Sequence, residues 1–405
     1  MPAINFVALS PAAPCEAYRE PAIAIAAARA GAIGIVDLAF VDDQAGMAAA
    51  FAMLVEHGVD RTERLTKLGD KPIAGRIGFR SLVGHLPHFL SQGAPQAVAA
   101  YAIIAGDLAP YDATLLAADI QTAKQAGFTV AVEVTSPAEA ALAADAGAQI
   151  LIAKGHEAAG RVGEATTYIL LQQLVGTYEI PVWAQGGIGY DTATAAAIIG
   201  AAGVVLDSQL FLCRDAGLDQ RTIEKLERLD GSETTLVSLE SPGLYLRLMG
   251  EIARSDAKTL RAAVSAAVND GQNLDSLLLV GQDACFASRM AQRGGAVSGV
   301  IATMAQHVQD QLAVVGKANV LASGSELALA HGTAYPIVQG AMTRVSDNAD
   351  FALAVAREGG LPFLALSLMR GAEIETLLAD TAQKLGDMPW GVGLLGFVPP
   401  ALRQE

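Results

Sequence analysis

Short apolar runs that stop at a glycine or at small polar residues alternate, along the first half of the chain, with longer alanine-rich stretches. The runs cover residues 4–9, 32–40, 73–79, 98–105, 128–134, a sixth beginning at Ile150, then 181–184 and 203–206. Runs of this length between turn residues read as strands, and the intervening stretches (21–30, 44–68, 114–126, 164–178, 192–200) as helices. Gly31, Gly127 and Gly147 are placed to cap helices, and Thr135-Ser136-Pro137 to start one. The later runs are almost continuously apolar, as parallel strands covered on both faces require. Eight strand–helix units within residues 1–215 predict a (β/α)8 TIM barrel. An open, doubly wound sheet would give the same alternation, and the count of eight separates the two.

Three strand ends carry the candidate chemistry. Ile150-Leu151-Ile152-Ala153-Lys154-Gly155-His156-Glu157 runs from a strand into a polar loop that continues to Gly163. Val182-Trp183-Ala184-Gln185-Gly186-Gly187-Ile188-Gly189 and Val204-Val205-Leu206-Asp207-Ser208-Gln209 do the same. Consecutive strand ends share the face on which α/β folds place ligands. Glycine-exposed N–H groups beside a helix start make an anion site.

Beyond residue 215 the spacing turns helical, and residues 216–330 read as a helical extension interrupted at Gly294-Gly295. Lys384-Leu385-Gly386-Asp387-Met388-Pro389 then nearly repeats Lys67-Leu68-Gly69-Asp70-Lys71-Pro72, with a long helix before and a glycine-rich strand after in both places. Residues 331–405 are therefore expected to open a partial second barrel-like repeat. Three strands cannot close a barrel, so the chain is expected to continue past Glu405.

Composition narrows the partners. The 405 residues carry 27 basic and 42 acidic side chains, a net charge of −15, which disfavours nucleic acid and anionic membranes. Cys15, Cys213 and Cys285 are scattered, with no metal-ligand or disulfide spacing. Neither a signal peptide nor a long unbroken apolar span is evident, and a cytoplasmic location is expected.

These motifs resemble the nitronate monooxygenase family, which includes FMN-dependent enoyl-acyl reductases of fatty-acid and polyketide synthesis. The matches are Lys154-Gly155-His156-Glu157-Ala158-Ala159-Gly160-Arg161-Val162-Gly163, Ala184-Gln185-Gly186-Gly187-Ile188 and, loosely, Gly203-Val204-Val205-Leu206-Asp207-Ser208. Pro336-Ile337-Val338-Gln339-Gly340-Ala341-Met342 matches the family's first strand better than residues 6–11 do. The resemblance implies FMN held by Gly155, Gly186, Gly187, Ile188, Asp207, Ser208 and Gln209, with NAD(P)H as reductant. It implies an acyl thioester as substrate, on an acyl carrier protein where one is present. Arg161 stands where many members carry a catalytic His, so His156 becomes the candidate acid, with a plain polar loop residue as the alternative, and Lys154 the second candidate catalytic residue. Lys154 and Arg161 read as charges for an acyl-carrier phosphopantetheine or a nicotinamide phosphate or, more simply, as solvated loop charges. Asp207 replaces a glycine, and its carboxylate would repel a phosphate. A nitronate monooxygenase and a catalytically silent scaffold barrel are the alternatives to an enoyl reductase.

Overall fold

The computed structural model describes residues 4–9, 21–40, 76–91, 99–218, 220–249, 257–270 and 277–394, with a few positions between 48 and 56. The chain divides into two compact units, Met1–Leu312 and Ala313–Glu405.

The first unit is built on parallel strands β1 (Asn5–Leu9), β2 (Ile33–Asp37), β3 (Ile77–Leu82), β4 (Ala99–Ala105), β5 (Thr129–Val134) and β6 (Ile150–Lys154). A short β7 (Gly160–Val162) follows outside the barrel, then β8 (Val182–Gln185) and β9 (Gly203–Leu206). Strands β1 to β6, β8 and β9 pair in chain order, and β9 closes on β1 with Val7 opposite Val205. This is the eight-stranded TIM barrel expected from the alternation. Side chains alternate along each strand. Val7, Leu9, Ile33, Ile35, Ile152, Trp183 and Val205 fill the barrel interior. Phe6, Ala8, Val36, Phe79, Leu151 and Val204 face outward into the core shared with the helices. The helix Ala22–Arg29 lies so close to β2 that a Cβ on Gly34 would overlap the backbone of Ala24. Pro137 begins its helix as expected, with the Ser136 hydroxyl capping the N–H of Glu139.

The segment after β3 contains a short helix, Leu86–Ser91. One expectation changes. Residues 216–330, read as purely helical, also hold β10 (Thr235–Ser238) and β11 (Tyr245–Leu248). These form an antiparallel hairpin, and β11 pairs antiparallel with β7. Four-residue strands are too short to show a period, and the partner of β11 lies far upstream. Most of the expected 44–68 helix, and the motif at 67–72, lie outside the described residues.

The second unit carries β12 (Val338–Gln339), β13 (Leu361–Ala365) and β14 (Gly391–Gly393), all parallel, alternating with helices Ala349–Arg357 and Gly371–Leu385. Ala349, Ala352, Leu364, Leu366, Leu377 and Leu385 form its core. No helix among the described residues is long and apolar enough to cross a membrane.

Candidate active site at the barrel mouth

The three glycine turns meet. Register pairs Lys154 with Gln185 and Gln185 with Val205, so the ends of β6, β8 and β9 lie side by side. The Gly155 N–H donates to the Gln185 carbonyl at 2.9 Å. Gly186 and Gly187 have φ of +108° and +64°, left-handed backbone that favours glycine. A Cβ on Gly155 would overlap Thr167 at the start of the helix Thr167–Leu174, so the missing side chain makes room for that helix.

Inside these turns runs a chain of buried charges. Arg80 on β3 reaches both carboxylate oxygens of Asp37 on β2, at 2.9 and 3.0 Å. It also grips Glu133 on β5 through Nε at 2.7 Å and Nη2 at 3.0 Å. Lys154 Nζ completes the chain, 3.0 Å from Glu133. Burial works against the Glu133 charge, but Arg80 and Lys154 outweigh it and hold the carboxyl at about 2. Burial works against Arg80 too, and its two carboxylates keep it firmly charged. Lys154 shares its carboxylate with Arg80, and burial draws its ammonium below the ordinary lysine value. Asp37 and Arg80 were not singled out in the sequence; one arginine inside the buried strand Ile77–Leu82 was the available signal.

The anion cradle is taken up by the chain's own groups. The Asp207 carboxylate accepts from Gln185 Nε2 at 2.9 Å and from the N–H of Ser208. Ser208 Oγ accepts from the N–H of Gly281 at 3.0 Å. Gln209 accepts the Asp207 N–H at 2.8 Å and donates to the Ile188 carbonyl at 3.1 Å. Gly187 N–H points at Asp283 Oδ2, 3.2 Å away. Asp283, from the turn Gln282–Phe286, had not been anticipated.

The two candidate catalytic residues are placed differently. His156 does not line the cavity at the mouth. Its Nδ1 lies 2.9 Å from the Gly163 carbonyl, and its ring packs edge-on against Tyr245. Lys154 does line the cavity, tied to Glu133. Arg161, read as a phosphate contact or a solvated charge, is neither. It is buried, paired with Glu139 and 5.2 Å over the Tyr111 ring, because β7 holds it inside a sheet. His85 meets Arg261 at 2.9 Å, and no metal-competent cluster occurs among the described residues. Cys213 is packed, and burial pushes its thiol up to about 12.

The cavity, lined by Asp37, Arg80, Lys154, Arg161, Gln185, Asp207 and Ser208 among others, has about 30 Å³ of free space. That suits a water or two. Among the described residues the fit to an FMN phosphate is poor on chemical grounds: the Asp207 and Asp283 carboxylates stand at the turns that would hold it and would repel it.

The nitronate monooxygenase family model matches residues 113–320, just over half of the chain. A dehydrogenase of Rhodococcus jostii acting on (3aS,4S,5R,7aS)-5-hydroxy-7a-methyl-1-oxo-octahydro-1H-indene-4-carboxyl-CoA is 28% identical over 254 residues, 62% of this chain. The chain spans 65% of that relative's length. Among solved structures, FabK from Thermotoga maritima superposes with a TM-score of 0.57 at 20% identity, over 77% of this chain and 96% of FabK. Nitroalkane oxidase from Streptomyces ansochromogenes gives 0.54 at 19% identity, over 77% of this chain and 97% of its own. The enoyl reductase domain of MlnA from Bacillus amyloliquefaciens gives 0.53 at 10% identity, over 78% and 96%. At these identities the superpositions establish the fold alone, a TIM barrel. From its family model and its barrel, the chain belongs to the nitronate monooxygenase family.

Proposed function

We propose that the barrel is a non-catalytic member of its oxidoreductase family, a scaffold or docking module within a larger acyl-processing protein of the cytoplasm. The observation that carries this reading is the buried chain Asp37–Arg80–Glu133–Lys154 across the mouth of the barrel. These side chains line the cavity with their charges already partnered, and freeing one to serve a ligand would break a buried pair at a cost of about 3–5 kcal/mol. The same side chains leave no free acid: Glu133 stays ionised, and Lys154 is held by it. The C-terminal order of strands and helices supports reading residues 331–405 as the opening of a second barrel, so catalysis would belong to another unit of the assembly.

The test is the visible spectrum of the purified protein, followed by titration of FMN fluorescence. A colourless protein that does not quench added FMN is expected. A yellow protein with stoichiometric flavin overturns the reading.

One set of observations favours a second reading, an FMN-dependent enoyl-thioester reductase using NAD(P)H. The barrel superposes on FabK and on an enoyl reductase domain, and the 28% identical relative is named for a CoA-thioester substrate. Stoichiometric flavin together with NAD(P)H oxidation dependent on a crotonyl-type thioester, carried on CoA or an acyl carrier protein, would establish it. Oxygen uptake with a nitroalkane would instead indicate a nitronate monooxygenase, a role for which Arg161, locked to Glu139, offers no base.

A further inference from the structure

Asp283 is unusual for a buried acid. It is 1% exposed, and the groups within hydrogen-bond reach of its carboxylate are neutral. Oδ2 accepts from the Gly187 N–H at 3.2 Å and from Gln209 Nε2 at 2.9 Å. Oδ1 is buried with no hydrogen-bond partner. Carboxylates are rarely buried without a cation, and here Asp207 and Glu157 add repulsion. The segment is nonetheless held firmly. The Gln282 N–H donates to the Glu157 carbonyl at 2.8 Å, and the Gly281 N–H to Ser208 Oγ at 3.0 Å. A Cβ on Gly281 would overlap Asp283 Oδ1, so the glycine leaves space for the carboxylate.

We propose that Asp283 is an internal ligand. Its carboxyl group supplies the oxygen that a phosphate would present to a cradle made by the Gly187 N–H and Gln209 Nε2, and its removal opens that cradle to phosphate and phosphate monoesters. Two donors converge on one oxygen beside a left-handed glycine turn at the start of the helix Tyr190–Ile199, an arrangement suited to anions. The inference rests on reading the barrel as a flavin-free member of its family, and it names the group that shuts the phosphate turn.

The test compares wild type, Asp283→Ala and Asp283→Asn in melting experiments with inorganic phosphate against chloride at matched ionic strength. Wild type should show no phosphate-specific rise in Tm. Asp283→Ala should gain a saturable one, with a phosphate Kd at least about tenfold lower than wild type. Asp283→Asn keeps an oxygen against Gly187 and Gln209, so it should behave as wild type. Equal responses in wild type and Asp283→Ala overturn the proposal, as does a response in Asp283→Asn matching that of Asp283→Ala. If Asp283→Ala shows no cooperative melting in chloride, phosphate should restore it, and failure to do so also overturns the proposal. A flavin-bearing wild type overturns the scaffold reading and this inference together. A colourless wild type with an unresponsive Asp283→Ala sinks only this inference.

Discussion

Glu133→Gln is the sharpest probe of the barrel mouth. It keeps the shape of the side chain and removes the charge that joins Arg80 to Lys154. Arg80 retains Asp37, whereas Lys154 loses its carboxylate in a site where it is 2% exposed. Glu133 is held at about 2 against an ordinary 4.5, which at ~1.4 kcal/mol per unit is about 3 kcal/mol. Loss of one partner from a buried pair independently suggests about 3–5 kcal/mol. Both point to a loss of about 3 kcal/mol at neutral pH. The pH dependence has a definite sign. A depressed carboxyl stabilises the fold above its unfolded value and loses that contribution as pH falls from about 4.5 towards about 2. Wild type should therefore weaken across that window, and Glu133→Gln should lack this part of the acid limb. Urea unfolding followed by Trp183 fluorescence reads the effect, in a Trp390→Phe background because Trp390 lies in the second unit. A variant within about 1 kcal/mol of wild type, or one with an unchanged acid limb, would refute the argument.

Arg161→Ala should cost about 3 kcal/mol in the same assay, since it strands the buried Glu139 and uncovers Tyr111. Gly155→Ala should lower stability by about 1–3 kcal/mol, because its methyl group meets the backbone of Thr167; a neutral result would show that the helix there can shift. The Cys213 thiol, raised by burial and then by Asp215 to about 12, should resist alkylation at mildly alkaline pH until the protein is denatured, as peptide mass spectrometry can follow.

The barrel was legible because its information is local. Eight apolar runs, each ended by glycine or small polar residues, needed only their own composition to declare themselves strands. The chemistry at the mouth was less legible because its partners are distant. Arg80 meets Asp37 across 43 residues and Glu133 across 53, and Gly187 meets Asp283 across 96. Motif spacing pointed to the three turns but could not reveal Asp283 beside them. Arg161 was misjudged for a related reason: in sequence it sits among glycines in a loop, and only the pairing of β7 with β11 takes it out of water. The contacts of His156, with the Gly163 carbonyl and Tyr245, were likewise out of reach of its motif.

That pairing has a kinetic consequence. In many barrels the segments beyond the strand ends swing freely as doors. Here Gly160, Arg161 and Val162 are stitched to Arg247, Leu246 and Tyr245, while Gly160 and Arg161 also wall the cavity. The seam ties this wall of the cavity to the hairpin, so amide protons on both sides of it should trade with solvent as one slow, cooperative group.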